Sequence, residues 1–161
     1  MKILVFLPTY NESENIERMV EAILQLERRP ELARNGITEI QVLIVDDSSP
    51  DGTGELADSL TARHPGKVHV IHRTERGRGT AGIAGFRYAS QQDVDYVIEM
   101  DADFSHDPRD ISRLLGEIQN YDIVIGSRFL PGSKIGPRSP LRRLTSWGAG
   151  LYTRLVLGID I

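Results

Sequence analysis

An α/β fold with a mostly parallel sheet flanked by helices is what this sequence predicts. Apolar runs of strand length alternate with stretches of helical periodicity, and such alternation implies right-handed crossovers between parallel strands. The strand-like runs are apolar throughout, as strands covered on both faces are. The length, 161 residues at 18.0 kDa with 40% hydrophobic and 26% charged residues, suits one domain with a real core.

Taken in order, residues 3–7 form a first strand that Pro8 stops. Ile16, Met19, Val20, Ile23 and Leu24 recur at helical spacing, with Asn11 or Ser13 as cap. Residues 40–45 form a second strand, ended by Asp46-Asp47-Ser48-Ser49-Pro50-Asp51-Gly52. A helix runs from Thr53 to Arg63, a third strand covers residues 68–71, a helix covers 81–90 and a fourth strand covers 96–100. Pro108 fits the first turn of a helix reaching Gln119, and residues 123–125 read as a fifth strand. Residues 130–140 hold three Pro and two Gly and read as a loop. Beyond it Leu141, Leu144, Gly148, Leu151 and Leu155 form a helical stripe, widened by Trp147 and Tyr152. That stripe suits a core-facing helix or one lying on an anionic membrane surface, and the pair Arg142-Arg143 favours the second. The chain thus divides into a core, residues 1–130, and a loop with an amphipathic helix, residues 131–161.

Composition removes several function classes. Nineteen Lys and Arg against 23 Asp and Glu give a net charge of −4, so nucleic acid is not an expected partner. The absence of Cys excludes disulfides, iron–sulfur and zinc-thiolate sites and a Cys nucleophile, and fits a cytoplasmic protein. Met1 to Leu7 is too short for a signal peptide, and no stretch approaches the ~18 apolar residues of a membrane span.

Ligands of parallel sheets bind beyond the carboxyl ends of the strands. Three of those ends carry carboxylates: Glu12, then Asp46 and Asp47, then Asp101 and Asp103. Any one of them could cap a helix. Asp101 and Asp103, two apart in an extended segment, point the same way, and paired carboxylates repel unless a cation lies between them. Hard oxygen ligands favour Mg²⁺ or Mn²⁺, commonly shared with substrate phosphates. His106 could be a metal ligand, a catalytic group or a turn residue, the last being favoured, and Ser105 could position the metal or a phosphate. Gly77, Gly79 and Gly82 satisfy G-x-G-x-x-G with Asp101 about 20 residues on, as a dinucleotide site would. Against that reading, His72 to Arg76 separate the glycines from their strand, the first strand is followed by PTYNE, and Asp101 belongs to an acid pair. The glycines still allow close backbone approach by a phosphate or sugar, with Arg76 and Arg78 adding charge. Arg128 after the fifth strand could hold an anionic oxygen or pair with an Asp.

Together, Pro8-Thr9-Tyr10-Asn11-Glu12, Asp46 to Gly52, Asp101-Ala102-Asp103-Phe104-Ser105-His106 and Gly126-Ser127-Arg128 resemble glycosyltransferase family 2 enzymes of the GT-A fold. The subgroup they most resemble is the polyprenol-phosphate (dolichol-phosphate) mannosyltransferases. The Ser-His after the acid triplet, and Arg142 four residues before Ser146, match that subgroup. The resemblance covers essentially the whole chain. It implies that Pro8, Tyr10, Glu12, Asp46 and Asp47 hold the base and ribose of GDP-mannose, with Arg76, Gly79 and Ala102 completing the donor site. It implies that Asp101 and Asp103 ligate Mg²⁺ or Mn²⁺ with help from Ser105, and that Arg128, Arg142 and Ser146 bind the phosphate of a polyprenyl or dolichyl phosphate. Asp103 and Arg128 would then carry catalysis.

The implied reaction is an inverting transfer of mannose to the acceptor phosphate at the cytosolic face of a membrane. Alternatives are a family member using UDP-glucose or another donor or acceptor, and a non-catalytic nucleotide-sugar-binding module. Glu75 stands where the subgroup often has Lys, so the charge of the glycine loop falls to Arg76 or Arg78. The family usually continues past the point matching Ile161, so the chain is expected to be truncated relative to it.

Overall fold

The computed structural model describes residues 1–127 and 140–158; the side chains of residues 140–144 and 157 lie outside the description. Strands β1 (Lys2–Thr9), β2 (Glu39–Asp46), β3 (Val68–His72) and β4 (Tyr96–Glu99) form one sheet in the order β3-β2-β1-β4, every pair parallel. Helices α1 (Ile16–Leu24), α2 (Pro30–Arg34), α3 (Thr53–Arg63), α4 (Arg78–Ala89), α5 (Ile111–Glu117) and α6 (Pro140–Leu157) make up the rest of the regular structure, with short 3₁₀ turns at Gln25–Arg28, Pro108–Asp110 and Ile118–Asn120. The chain forms two compact units, Met1–Val124 and Ile125–Ile161. The expected α/β architecture with a mostly parallel sheet is the observed one.

The central strand β1 accounts for both layers. Side chains alternate between the faces of a strand. Ile3, Val5 and Leu7 enter a core with Ile16, Met19, Val20 and Ile23 of α1, Leu60 of α3 and Leu115 of α5. Leu4 and Phe6 enter the opposite core with Leu43 and Val45 of β2 and Ala81 and Ala89 of α4. Gly85 lets α4 approach this second face. A Cβ there would lie 2.5 Å from the Phe6 ring, which is fully buried and meets Phe86 edge-on at 4.9 Å. Gly85→Ala is therefore expected to destabilise the fold by about 1–3 kcal/mol, read as a lower denaturation midpoint, with Phe6→Leu recovering part of the loss in the double variant.

Several boundaries differ from the sequence reading. Pro8 does not stop β1, which runs on to Thr9. The Phe6 carbonyl faces β4, accepting from the Met100 amide, so by period two the donorless nitrogen of Pro8 faces that side as well. Pairing with β4 has already ended there, at Phe6–Glu99, and no ladder bond is lost. Neither Asn11 nor Ser13 caps α1; the N-cap is Asn15, whose side chain donates to Glu12 Oε2 rather than capping the helix, and the Glu12 carbonyl accepts from the Asn15 and Ile16 amides. Helix α4 starts at Arg78, ahead of Ala81, because Gly77 supplies the N-cap. The helix from Pro108 is a 3₁₀ turn, then α5, then a second 3₁₀ turn. Residues 123–125 make no strand; Ile123 and Ile125 are 77% and 81% exposed. A run of three apolar residues is too short to fix a strand without a partner. Of the predicted loop, residues 130–140, all but Pro140 lies outside the described residues, and Pro140 begins α6. Among the described residues, no helix is long and apolar enough to cross a membrane.

Candidate active site

The carboxyl ends of β1, β2 and β4 open on a cleft of about 340 Å³, whose wall includes Pro8 from the end of β1 and Tyr10 and Glu12 from the loop that follows. Asp47 joins from the second loop, Arg76 from the third, Arg78 from the start of α4, and Asp101, Ala102 and Asp103 from the fourth loop. Each of the loops after β1, β2 and β4 contains one non-glycine residue in the left-handed region: Asn11 (φ 60°), Ser48 (φ 52°) and Phe104 (φ 59°). Such strain persists only where surrounding contacts over-determine it, and it gathers at functional loops. At Phe104 the hold is visible: the ring packs against the core and the Arg18 guanidinium lies 5.1 Å from its centroid.

The second loop holds the first in place. Three successive amides donate across: Asn11 to Ser49 Oγ (3.0 Å), Glu12 to Thr53 Oγ1 (2.9 Å) and Ser13 to Asp51 Oδ2 (3.0 Å). Burial opposes ionisation of Asp51, yet hydrogen bonds from Thr53 and Ser13 outweigh it and hold the carboxyl far below the usual carboxylate range. Tyr10, so fixed, presents its ring to Arg76, whose guanidinium carbon lies 4.3 Å from the centroid.

Asp46 and Asp47, adjacent and both buried, do different work. Asp46 does not line the cleft. Its Oδ1 accepts from Ser49 Oγ at 2.5 Å and from Thr9 Oγ1 at 3.4 Å, and its Oδ2 accepts from the Ser49 amide at 3.2 Å. Asp47 turns toward the glycine loop: Oδ1 accepts from Arg73 Nη1 at 2.5 Å and Oδ2 from the Gly77 amide at 2.9 Å. Arg73 also donates to Thr80 Oγ1 at 2.7 Å. Gly77 has φ 153°, and a Cβ there would meet Thr80 Oγ1 at 3.0 Å, so this turn suits glycine.

In the fourth loop the two acids expected to share a cation do reach one cleft. Asp101 Oδ1 accepts from Arg78 Nη2 at 2.5 Å. Asp103 Oδ1 accepts from the Ser105 amide at 2.9 Å, so the observed partner of Ser105 is the acid itself. Hydrogen bonding from the Ser105 side chain, acting against burial and joined by backbone donors, holds the Asp103 carboxyl below its usual range, ionised at neutral pH. His106 takes the turn role: its Nδ1 accepts from the Asp101 amide at 3.1 Å, and its Nε2 stands 4.0 Å from Asp101 Oδ2.

The cleft wall thus gathers eight of the expected site residues: Pro8, Tyr10, Glu12, Asp47, Arg76, Asp101, Ala102 and Asp103. Gly79 lies instead in a neighbouring groove with Gly82, Phe86 and Glu99, and Arg78 lines both. Ser146 is half-buried on α6. Arg128 and the Arg142 side chain lie outside the described residues. Gly77, singled out by the glycine spacing, also lies on the wall. Sequence reasoning missed Thr9 and Ala81 on the wall, and Arg73 behind it; nothing local marks Arg73 as the buried partner of an acid 26 residues away.

Residues 4–158 match the model of Glycosyl transferase family 2. The chain is 44% identical over 162 residues to the undecaprenyl-phosphate mannosyltransferase of Micrococcus luteus, covering all of this chain and 62% of that protein. It is 41% identical over 163 residues to the polyprenol monophosphomannose synthase of Mycolicibacterium smegmatis (99% of this chain, 57% of that one). It is 40% identical over 159 residues to the dolichol-phosphate mannosyltransferase of Pyrococcus furiosus (98% and 42%). The chain therefore spans between two fifths and two thirds of these relatives' own length. Among solved structures, the mannosyltransferase PcManGT from Pyrobaculum calidifontis, in complex with GDP-Man and Mn²⁺, aligns with TM-score 0.50 at 27% identity over 63% of this chain and 27% of that one. The S. aureus protein TarS, residues 1–349 with UDP, shares the fold at TM-score 0.53 and 22% identity over 74% of this chain and 33% of that one. With nearly its whole length matched by the family model, and Glu12, Asp47, Asp101 and Asp103 gathered in one cleft, the chain belongs to glycosyl transferase family 2.

Proposed function

We propose that this chain transfers mannose from GDP-mannose to a polyprenyl phosphate, such as dolichyl phosphate. One observation carries the reading: Tyr10 and Glu12, Asp47, Arg76 and Arg78, and Asp101 with Asp103 come from four separate loops and the start of α4 to one cleft. The named activities of the mannosyltransferase relatives support it.

The donor set fits a hard divalent cation. Asp101 and Asp103 offer carboxylate oxygens to the cleft, and among the described residues no group of three His, Cys, Asp or Glu could hold a metal by protein ligands alone. Two carboxylate donors suit Mg²⁺ or Mn²⁺, which keep positions for substrate phosphates. Bound there, the cation neutralises charge developing on the diphosphate leaving group. Tyr10, Glu12 and Pro8 wall the nucleoside side of the cleft in this reading. Asp47 acts through Arg73 and the Gly77 amide, fixing the loop that carries Arg76 and Arg78. Ser105 keeps Asp103 ionised and oriented. Arg128, Arg142 and Ser146 are assigned to the acceptor phosphate by resemblance. That phosphate is already anionic near neutral pH, so no side chain need act as general base; the acceptor oxygen attacks the anomeric carbon opposite the leaving group and inverts it.

Incubation with GDP-mannose, Mn²⁺ and a short-chain polyprenyl phosphate tests the proposal. Mannosyl-phosphoryl-polyprenol, detected by mass spectrometry and absent in EDTA, is the expected product. Donor binding with no transfer would instead make the chain a nucleotide-sugar-binding module.

We also propose that α6 docks on the cytosolic membrane surface. Trp147, Tyr152 and Leu155 are 67%, 68% and 77% exposed, and Leu151 is 44% exposed. Aromatic and Leu side chains on a helix that also carries arginines suit an anionic lipid interface. The double variant Leu151→Ser, Leu155→Ser is expected to lose sedimentation with anionic liposomes while keeping its melting temperature. A lowered melting temperature with unchanged liposome binding would contradict membrane docking.

A further inference from the structure

Three arginines enter the region of the glycine loop, and the structure gives them unequal freedom. Arg73 is committed: its side chain is 13% exposed and is bound to Asp47 and Thr80. Arg76 lies on the Tyr10 ring. Arg78 is different. Its side chain is 71% exposed, it stands at the first position of α4, and its guanidinium engages Asp101, one of the two cleft acids suited to a divalent cation. A carboxylate already neutralised by a guanidinium attracts a divalent cation less strongly. An exposed ion pair is weak, however, and exchanges readily. Released from Asp101, the guanidinium remains at the N-terminus of a helix, where the backbone dipole also favours anions.

We infer that Arg78 is the exchangeable counter-charge of this cleft: it occupies Asp101 in the ligand-free chain and transfers to the nucleotide diphosphate when a divalent cation takes Asp101. Cation and diphosphate then bind as a pair, each making room for the other. The exchange also supplies the loop with the positive charge that Glu75 lacks. The diphosphate half of the inference rests on the donor reading above; the pairing of Arg78 with Asp101 does not.

Mn²⁺ binding by the full chain, followed by electron paramagnetic resonance, and GDP binding by calorimetry with Mn²⁺ present test it in wild type, Arg78→Gln and Arg78→Lys. Without nucleotide, Arg78→Gln is expected to bind Mn²⁺ up to about fivefold more tightly, the size of an exposed ion pair. With Mn²⁺ present, the same variant is expected to bind GDP about tenfold or more weakly, through loss of a charge-assisted hydrogen bond. Arg78→Lys keeps the charge without the fork and should recover part of the GDP affinity. A purely structural Arg78 would not move the two affinities in opposite directions. Unchanged Mn²⁺ affinity in Arg78→Gln overturns the inference whether or not wild type binds GDP. Tighter Mn²⁺ binding with unchanged GDP affinity overturns the transfer to the diphosphate. Failure of wild type to bind GDP with Mn²⁺ contradicts the donor reading itself.

Discussion

Asp103→Ala is expected to weaken GDP-mannose binding in Mn²⁺ by about 100-fold or more, leaving the little that remains insensitive to EDTA. A bound cation contributes several kcal/mol through its contact with the diphosphate, and a loss of about 3 kcal/mol corresponds to that factor. The fold should tolerate the change. Asp103 is exposed and serves the Ser105 amide, which water can satisfy in its place. The melting temperature should therefore stay close to wild type, which separates lost binding from lost structure. Calorimetric titration of the variant with GDP-mannose, beside a thermal melt, reads both.

Asp47→Ala is expected to act in the opposite way, with a stability loss of about 3–5 kcal/mol, the usual result of removing one partner of a buried ion pair. Asp47 is 5% exposed, and its two oxygens serve Arg73 and the Gly77 amide. Without it the poorly exposed Arg73 guanidinium would keep Thr80 alone as partner among the described residues. Donor binding should fall as well, because the loop carrying Arg76 and Arg78 loses its anchor. Chemical denaturation measures the stability loss directly. Asp47→Asn should recover part of it, since an amide oxygen can still accept from Gly77.

The contrast between these two acids marks the limit of what the sequence discloses. Where a function depends on local pattern it is legible. Apolar runs place the four strands, period two and burial explain β1, and the acids at the strand ends point to the cleft that forms. The Asp101–Asp103 pair is legible for the same reason, since both acids sit in one short segment beyond β4. Asp46 and Asp47 are not separable this way. They are identical neighbours, and only the tertiary partners, Ser49 and Thr9 for one, Arg73 and Gly77 for the other, divide their work. The Arg78–Asp101 pair spans 23 residues and exists only because α4 and the end of β4 share the cleft. Pro8 misleads because its effect depends on which side of the strand its nitrogen faces and where the neighbouring ladder stops. Asn11 and Ser13 look like helix caps, but the first loop, tied across to the second by their amides, carries the chain past both before α1 begins after Asn15. Residues 123–125 have the composition of a strand, but among the described residues no ladder reaches them.

The central claim is that the cleft binds a mannose nucleotide together with a divalent cation. Calorimetric titration of the chain with GDP-mannose, in Mn²⁺ and then in EDTA, tests it most directly. One-to-one binding in Mn²⁺ that disappears in EDTA is the predicted result. Equal binding in the two buffers, or a preference for UDP-glucose over GDP-mannose, would contradict it.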